Sequence, residues 1–309
     1  MKVTVIGAGN VGATCANVLA LKEIASEVVL LDVAEGVAEG KAMDIAQSMP
    51  SLGFDTVIKG VTNDYSKTVN SQVVVVTSGM PRKPGMSRED LVSINVSIVE
   101  SVVRNALEYS PNAIFIIVTN PLDTMTLVAL NASGLPKNRV IGMGGVLDSA
   151  RFKYFLSQKL CKPINEIHGM VIGGHGDTTM IPLKDLATYK GLAINELLTE
   201  DEFSEVIGET MVGGATLTKL LGTSAWYAPG AAVAEVVDSI LGDKKKLLPS
   251  SVYLEGEYGA TNICIGVPCV IGRNGVEEIV SLKLTETELV KFNKSVEALK
   301  EVNALLDKI

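Results

Sequence analysis

Apolar and polar positions follow two regimes along this chain. In the first half, short β-branched runs alternate with longer segments of helical spacing. Lys2–Ile6, Val28–Leu31, Thr56–Val61, Val73–Thr77, Ile114–Val118 and Arg139–Gly142 read as strands. A run as uniformly apolar as the four valines 73–76 belongs to a strand covered on both faces. Among these strands, the spacing predicts helices over Val11–Leu21, Gly36–Met49, Arg88–Tyr109 and Leu122–Asn131. Alternating strands and helices build a parallel sheet with helices on both sides.

The second half is less regular. Ile167–Ile172, Val252–Glu255, Ile263–Ile271 and Glu278–Lys283 read as strands of a mixed or antiparallel sheet, and Ser204–Leu221 and Ala228–Leu241 as helices. The first of these helices carries Gly208, Gly213 and Gly214, which weaken an isolated helix. Close packing against another subunit accounts for them, and so does a kink. A last helix opens on a capping box, Thr285 with Glu288, and shows the apolar stripe Leu289, Phe292, Val296, Leu299, Val302, Leu306. The change of regime falls near Gly145, so two domains are expected, 1–145 and 146–309.

The first strand runs straight into Gly7-Ala8-Gly9-Asn10-Val11-Gly12, then a helix, then a second strand ending on Asp32, twenty positions after Gly12. In this order each residue has a task. Gly7 permits a tight turn, Gly9 lets a pyrophosphate approach the backbone, and Gly12 lets the helix pack on the sheet. The free N–H groups at the helix start face the phosphates. Asp32 accepts from a ribose hydroxyl and repels a 2′-phosphate, so the expected cofactor is NAD rather than NADP. The fold class is α/β: a Rossmann-type doubly wound parallel sheet, followed by a mixed α/β domain that would bind the substrate.

Composition narrows the partners. With 309 residues and 47% hydrophobic content the chain can bury a large core. Its net charge is −8, from 27 basic and 35 acidic residues, and no basic stripe is present, so nucleic acid is not an expected partner. No apolar stretch reaches the length of a membrane span, and with the first strand entered at Lys2 no signal peptide is expected. Cys15, Cys161, Cys264 and Cys269 lack metal-site or redox spacing. They read as buried small hydrophobes, no metal is expected, and the default compartment is the cytoplasm.

Few residues can carry proton chemistry. Of two histidines, His168 begins an apolar strand and reads as structural. His175 sits in Gly173-Gly174-His175-Gly176-Asp177, exposed at a strand end. There it is either a turn residue or a group that exchanges protons near neutrality. Asp148 and Arg151 lie three apart on one helix face. They are a surface ion pair, or they line a cleft, where Asp148 would orient a histidine and Arg151 would grip a carboxylate. The Pro- and Gly-rich stretch Met80–Asp90 carries Arg82, Lys83 and Arg88. It is a solvated charge run, or a lid bringing positive charge to an anionic substrate. Asn120 follows a strand at the same sheet edge and can contact both substrate and nicotinamide.

Taken in order, GAGNVG, LLD, PRKPGMSRED, VTNPLD, GVLDSARF and GGHGD resemble the lactate/malate dehydrogenase family over essentially the whole chain. Within it, the chain is most similar to the lactate-dehydrogenase-like malate dehydrogenases. The resemblance implies NAD-dependent interconversion of (S)-malate and oxaloacetate. His175 is then the proton acid/base, Asp148 its partner, Arg151 the carboxylate clamp, and Arg88 the group polarising the reacting carbonyl. Arg82 takes the specificity position, where lactate enzymes carry glutamine. The resemblance assigns cofactor contacts to Gly7, Ala8, Gly9, Asn10, Val11, Gly12, Asp32, Asn95, Val118, Thr119 and Asn120, with Asn120 also touching substrate. It implies a dimer or tetramer. Gly174 and Ala225 depart from the lactate pattern and favour malate. Lactate dehydrogenase or another 2-hydroxy acid dehydrogenase is the nearest alternative. A catalytically silent NAD(H)-binding protein is the alternative of another class, and it would need none of His175, Asp148, Arg151 and Arg88.

Overall fold

The computed structural model describes residues 1–81 and 87–309, and for Arg88 the backbone alone. Arg82 and the Arg88 side chain, two of the expected substrate contacts, lie outside the described residues.

The expected parallel sheet is present. β1 (Lys2–Ile6), β2 (Glu27–Asp32), β3 (Val57–Thr62), β4 (Val73–Val76), β5 (Ile114–Ile117) and β6 (Val140–Gly142) run parallel in the order β3-β2-β1-β4-β5-β6. Successive side chains of one strand serve opposite cores. Val73 and Val75 join one buried cluster, and Val74 and Val76 join the other. α1 (Asn10–Leu21) packs into the first, and α3 (Arg88–Tyr109) and α4 (Leu122–Ser133) into the second. α2 (Val37–Leu52) packs beside β3.

The second half continues with α5 (Gly145–Leu160), β7 (Ile167–His168), β8 (Val171–Gly173), β9 (Met180–Pro182), β10 (Thr188–Tyr189), β11 (Leu192–Ala193), α6 (Glu200–Leu221) and α7 (Tyr227–Leu241). β12 (Lys246–Glu255), β13 (Thr261–Gly272), β14 (Gly275–Ile279) and α8 (Glu286–Asn303) complete it. Its large strands do not form a separate sheet. They extend the parallel one, β6-β12-β13-β8-β9, antiparallel, with β14 on the side of β13. The join is a single pairing, Ser251 with Gly142. A Cβ on Gly142 would lie 2.8 Å from the Ser251 Cβ, so glycine permits the approach.

Several expectations need correction. Ile167–Ile172 is two strands in two sheets, because β7 pairs with β10 while β8 pairs with β13 and β9. The expected strand Glu278–Lys283 lies earlier, at Gly275–Ile279, where the chain turns back onto β13. The α8 capping box is formed as expected, yet Leu289 of its stripe is exposed while Phe292, Val296, Leu299 and Val302 are buried. Cys15, Cys264 and Cys269 are buried, and burial pushes the Cys15 and Cys269 thiols up to about 12, whereas Cys161 is exposed at the end of α5. No described helix is long and apolar enough to cross a membrane.

Candidate active site

The site lies beyond the carboxyl ends of β1, β4 and β5, where the winding of the sheet reverses. Gly7 leaves β1 with φ +105°, which a side chain would oppose, and its N–H donates to Leu31 O at 2.7 Å. A Cβ on Gly12 would fall 1.9 Å from the Gly7 carbonyl oxygen. Nothing lies within 4 Å of where a Cβ on Gly9 would be, so the backbone there is open to a ligand. Gly9 starts α1 without a side-chain cap, which leaves the first N–H groups available for an anion.

Asp32 closes this end. Its Oδ2 accepts from the Ala8 N–H at 2.5 Å and its Oδ1 from the Ala34 N–H at 2.9 Å, so two backbone donors orient the carboxylate. A cavity of about 610 Å³ runs past it, lined by Gly7, Gly9, Asp32, Val33, Thr77 and Gly79 among others. Lys41, which nothing in the sequence marks, joins this end, its Nζ donating to Ala8 O at 2.7 Å.

The nicotinamide-side residues divide. Val11, Val118 and Asn120 line a second cavity of about 280 Å³, together with His175, Arg151, Gly214 and Ala225. Asn10 is exposed and faces a different pocket, beside Lys41 and Trp226. Thr119 is buried and its hydroxyl donates to Ser78 O at 2.6 Å. Asn95 is 1% exposed, and its amide is fully used: Oδ1 accepts from Met80 N–H, and Nδ2 donates to Met80 O and Asn120 O. Asn95 and Thr119 therefore brace the loops after β4 and β5 and line neither cavity.

The proton machinery meets in the second cavity. α5 places Asp148 and Arg151 on one face, and the turn after β8 brings His175 to them. His175 Nδ1 lies 2.7 Å from Asp148 Oδ2, and Arg151 Nη1 donates to Asp148 Oδ1 at 3.2 Å. The pair is no surface ion pair, since Asp148 is 2% exposed and Arg151 13%. Burial opposes a charge on His175, but the Asp148 carboxylate beside it, with help from Asp123, outweighs burial and lifts the imidazole above its ordinary value. With Nδ1 committed to Asp148, Nε2 is the nitrogen left for substrate.

Arg151 leans on α6. A Cβ at Gly214 would lie 3.4 Å from its Nη1, and one at Gly213 3.4 Å from its Cδ. A Cβ at either glycine would only touch the side chain at ordinary van der Waals distance, and α6 runs unbroken through both. No non-helical residue interrupts α6 at these glycines, and nothing lies within 4 Å of a Cβ at Gly208. Arg151 Nε is buried with no hydrogen-bond partner among the described residues. A cation so partnered by one carboxylate oxygen retains donors for an anionic ligand.

Two further residues support this turn. Asp123, the last residue of VTNPLD, accepts from the His175 backbone N–H at 2.8 Å, and Ser295 Oγ accepts from the Gly174 N–H at 2.9 Å. Asp123 is an acid inside the motif VTNPLD, whereas nothing in the sequence marks Ser295. His168 is exposed on β7.

A dinucleotide cleft beside a buried His–Asp pair, with an arginine on the same carboxylate, defines a nicotinamide-dependent 2-hydroxy acid dehydrogenase. Residues 1–142 match the NAD binding domain of lactate/malate dehydrogenases, and residues 145–306 match the alpha/beta C-terminal domain of the same family. The chain belongs to the lactate/malate dehydrogenase family. It is 64% identical over 308 residues to the malate dehydrogenase of Bacteroides thetaiotaomicron, covering 100% of this chain and 98% of that one. The malate dehydrogenase of Flavobacterium johnsoniae is 62% identical over 309 residues, covering 100% and 99%. Among solved structures, the malate dehydrogenase of Salinibacter ruber superposes with a TM-score of 0.95 at 43% identity, covering 100% and 98%. The lactate dehydrogenase of Cryptosporidium parvum, complexed with lactic acid and nicotinamide adenine dinucleotide, gives 0.94 at 36% identity, covering 100% and 98%.

Proposed function

We infer that the chain catalyses the NAD-dependent oxidation of (S)-malate to oxaloacetate and the reverse. The observation that carries the reading is the buried Asp148 carboxylate bridging His175 and Arg151 at the wall of the second cavity. Relatives at 56–64% identity over nearly the whole chain are malate dehydrogenases, which sets the substrate.

The Gly7–Gly12 turn and Asp32 would hold NAD, which would supply the hydride acceptor and, when reduced, the donor. His175 Nε2 takes the hydroxyl proton of malate as hydride leaves the adjacent carbon. Asp148 stabilises the resulting imidazolium and holds its orientation. Arg151 binds the carboxylate next to the reacting carbon. Asn120 bonds the hydroxyl side of the substrate. In reduction, protonated His175 returns the proton to the carbonyl oxygen, and Arg88 opposes the negative charge that develops there. Arg82 pairs with the far carboxylate.

An assay of NADH oxidation with oxaloacetate, against pyruvate at equal concentration, tests the reading. Oxaloacetate is expected to be reduced far faster. Arg82→Gln is expected to shift the ratio of the two kcat/KM values by about a hundredfold toward pyruvate, since a charged hydrogen bond is worth roughly 1.5–3 kcal/mol. A ratio that stays put removes Arg82 from the substrate contacts.

Cofactor choice rests on Asp32. NADH is expected to exceed NADPH by at least about a hundredfold in kcat/KM, two steps of ~1.4 kcal/mol each. Asp32→Ser narrows that gap. Equal use of both cofactors by the unaltered protein would refute the assignment.

We further propose a division into an NAD-binding part, 1–145, and a substrate-binding part, 146–309, supported by the start of α5 at Gly145. A homo-oligomer, dimer or tetramer, is supported by exposed Val212, Leu220, Leu221 and Tyr227 on α6 and α7. A cytoplasmic, reducing setting fits the four unpaired cysteines.

A further inference from the structure

Behind the His–Asp pair stands a second buried carboxylate that the steps above do not use. Asp123, in the first turn of α4, is 4% exposed. Its Oδ2 accepts from the His175 backbone N–H at 2.8 Å, and its Oδ1 accepts from the Ser251 hydroxyl of β12 at 2.6 Å. We propose that Asp123 is a positioning residue of the reaction: it sets the imidazole through the His175 N–H, and it is the second negative charge facing the imidazolium. The inference rests on the reading of His175 as the proton carrier.

A neutral side chain would serve as a brace. Asparagine at this position offers the same acceptor without the cost of burying a charge. The carboxylate therefore calls for a compensating charge nearby. Among the described residues, the charged groups facing His175 are Asp148 and Arg151 from α5 and Asp123 from α4, with exposed Asp177 on its own turn; α8 offers the uncharged Ser295. With His175 protonated, the buried set of Asp148, Asp123, Arg151 and His175 is formally neutral. With His175 neutral, one negative charge is left over. Burial pushes the Asp123 carboxyl up, and the Ser251 hydroxyl, the His175 N–H and the His175 charge work against that rise. The negative charge of Asp123 favours protonated His175, the form that reduction requires, and the His175 charge in turn favours ionised Asp123 against the rise that burial imposes.

Two variants separate charge from position. Asp123→Asn keeps an acceptor for the His175 N–H and removes the charge. The alkaline fall of kcat/KM for oxaloacetate reduction is expected to move about 1 pH unit lower, the low end for loss of a neighbouring opposite charge. Asp123→Ala removes the acceptor as well, and kcat is expected to drop about tenfold or more at every pH, with KM for NADH unchanged. A structural residue would lower stability without moving the pH profile.

The imidazole is also read without turnover. In a His168→Asn background the single histidine left is followed by NMR in the free protein, and Asp123→Asn is expected to lower its midpoint by the same amount. If the unaltered protein fails to reduce oxaloacetate, the functional reading fails while this titration still decides the charge. If Asp123→Asn does not fold, the carboxyl carbon-13 signal of Asp123 in the unaltered protein takes its place. It is expected to remain ionised and to shift at the His175 midpoint. An unmoved pH limb and unmoved midpoint, or an Asp123 carboxyl that is neutral while His175 titrates, overturns the proposal.

Discussion

Replacing His175 by asparagine is expected to lower turnover roughly 10²–10⁴-fold, the range typical of lost general acid/base catalysis. Asparagine fits beside Asp148 and keeps a hydrogen bond to it, so the loss is of the proton carrier rather than of packing. NADH binding is expected to survive, because Asp32 and the Gly7 turn are untouched. The pH profile identifies the same group. Asp148 and Asp123 lift His175 above its ordinary value of about 6.5 despite burial. Reduction needs the imidazolium, so its kcat/KM stays high below the raised value and falls as pH rises through it. Oxidation needs neutral His175, so its kcat/KM rises over the same window. In His175→Asn both limbs disappear from the residual rate. Stopped-flow measurement of hydride transfer across pH checks this. Near-normal turnover in the variant would sink the mechanism.

Arg151→Gln is expected to cost about a thousandfold in kcat/KM for oxaloacetate, because removing one member of a buried charge pair costs roughly 2–5 kcal/mol. The guanidinium holds Asp148 with Nη1 while its buried Nε has no acceptor among the described residues. A carboxylate at this face pairs with a group already in place, since Asp148 holds it. Lysine is not expected to rescue the site, since a single ammonium cannot offer the planar fork. A second signature distinguishes loss of the clamp from general damage. The Arg151 charge works against protonation of His175, so its removal moves the alkaline limb of reduction to higher pH. That is opposite in sign to the shift expected for Asp123→Asn. A kcat/KM within tenfold of the unaltered protein, with an unmoved limb, would take Arg151 out of the substrate site.

Much of this molecule was legible in order along the chain. A strand, a glycine turn, a helix and Asp32 occur within the first 32 residues, and the structure brings Asp32 to Ala8 as that order requires. The runs at 73–76 and 114–117 read as buried strands because a sheet covered on both faces buries both parities of its side chains. Asp148 and Arg151 shared a face by helical spacing alone, and the glycines around His175 marked an accessible imidazole. Such features arise from backbone periods and steric rules acting over a few residues.

Tertiary structure decided everything that joins distant segments. Local pattern left Asp148 and Arg151 as either a surface pair or a cleft pair; the turn after β8, 27 residues on, settled it by bringing His175 to Asp148. Asp123 reaches the His175 backbone across 52 residues and Ser251 across 128. The six parallel strands and the antiparallel strands of the second half became one sheet through Ser251 and Gly142. Asn95, expected at the cofactor, became the brace of the Met80 and Asn120 loops. Gly213 and Gly214 came to lie against the Arg151 side chain through the packing of α6 on α5. Local periodicity specifies none of these pairings. A hydrogen bond between remote residues depends on the path of the chain between them, and a buried carboxylate looks like any other until its partners are in place.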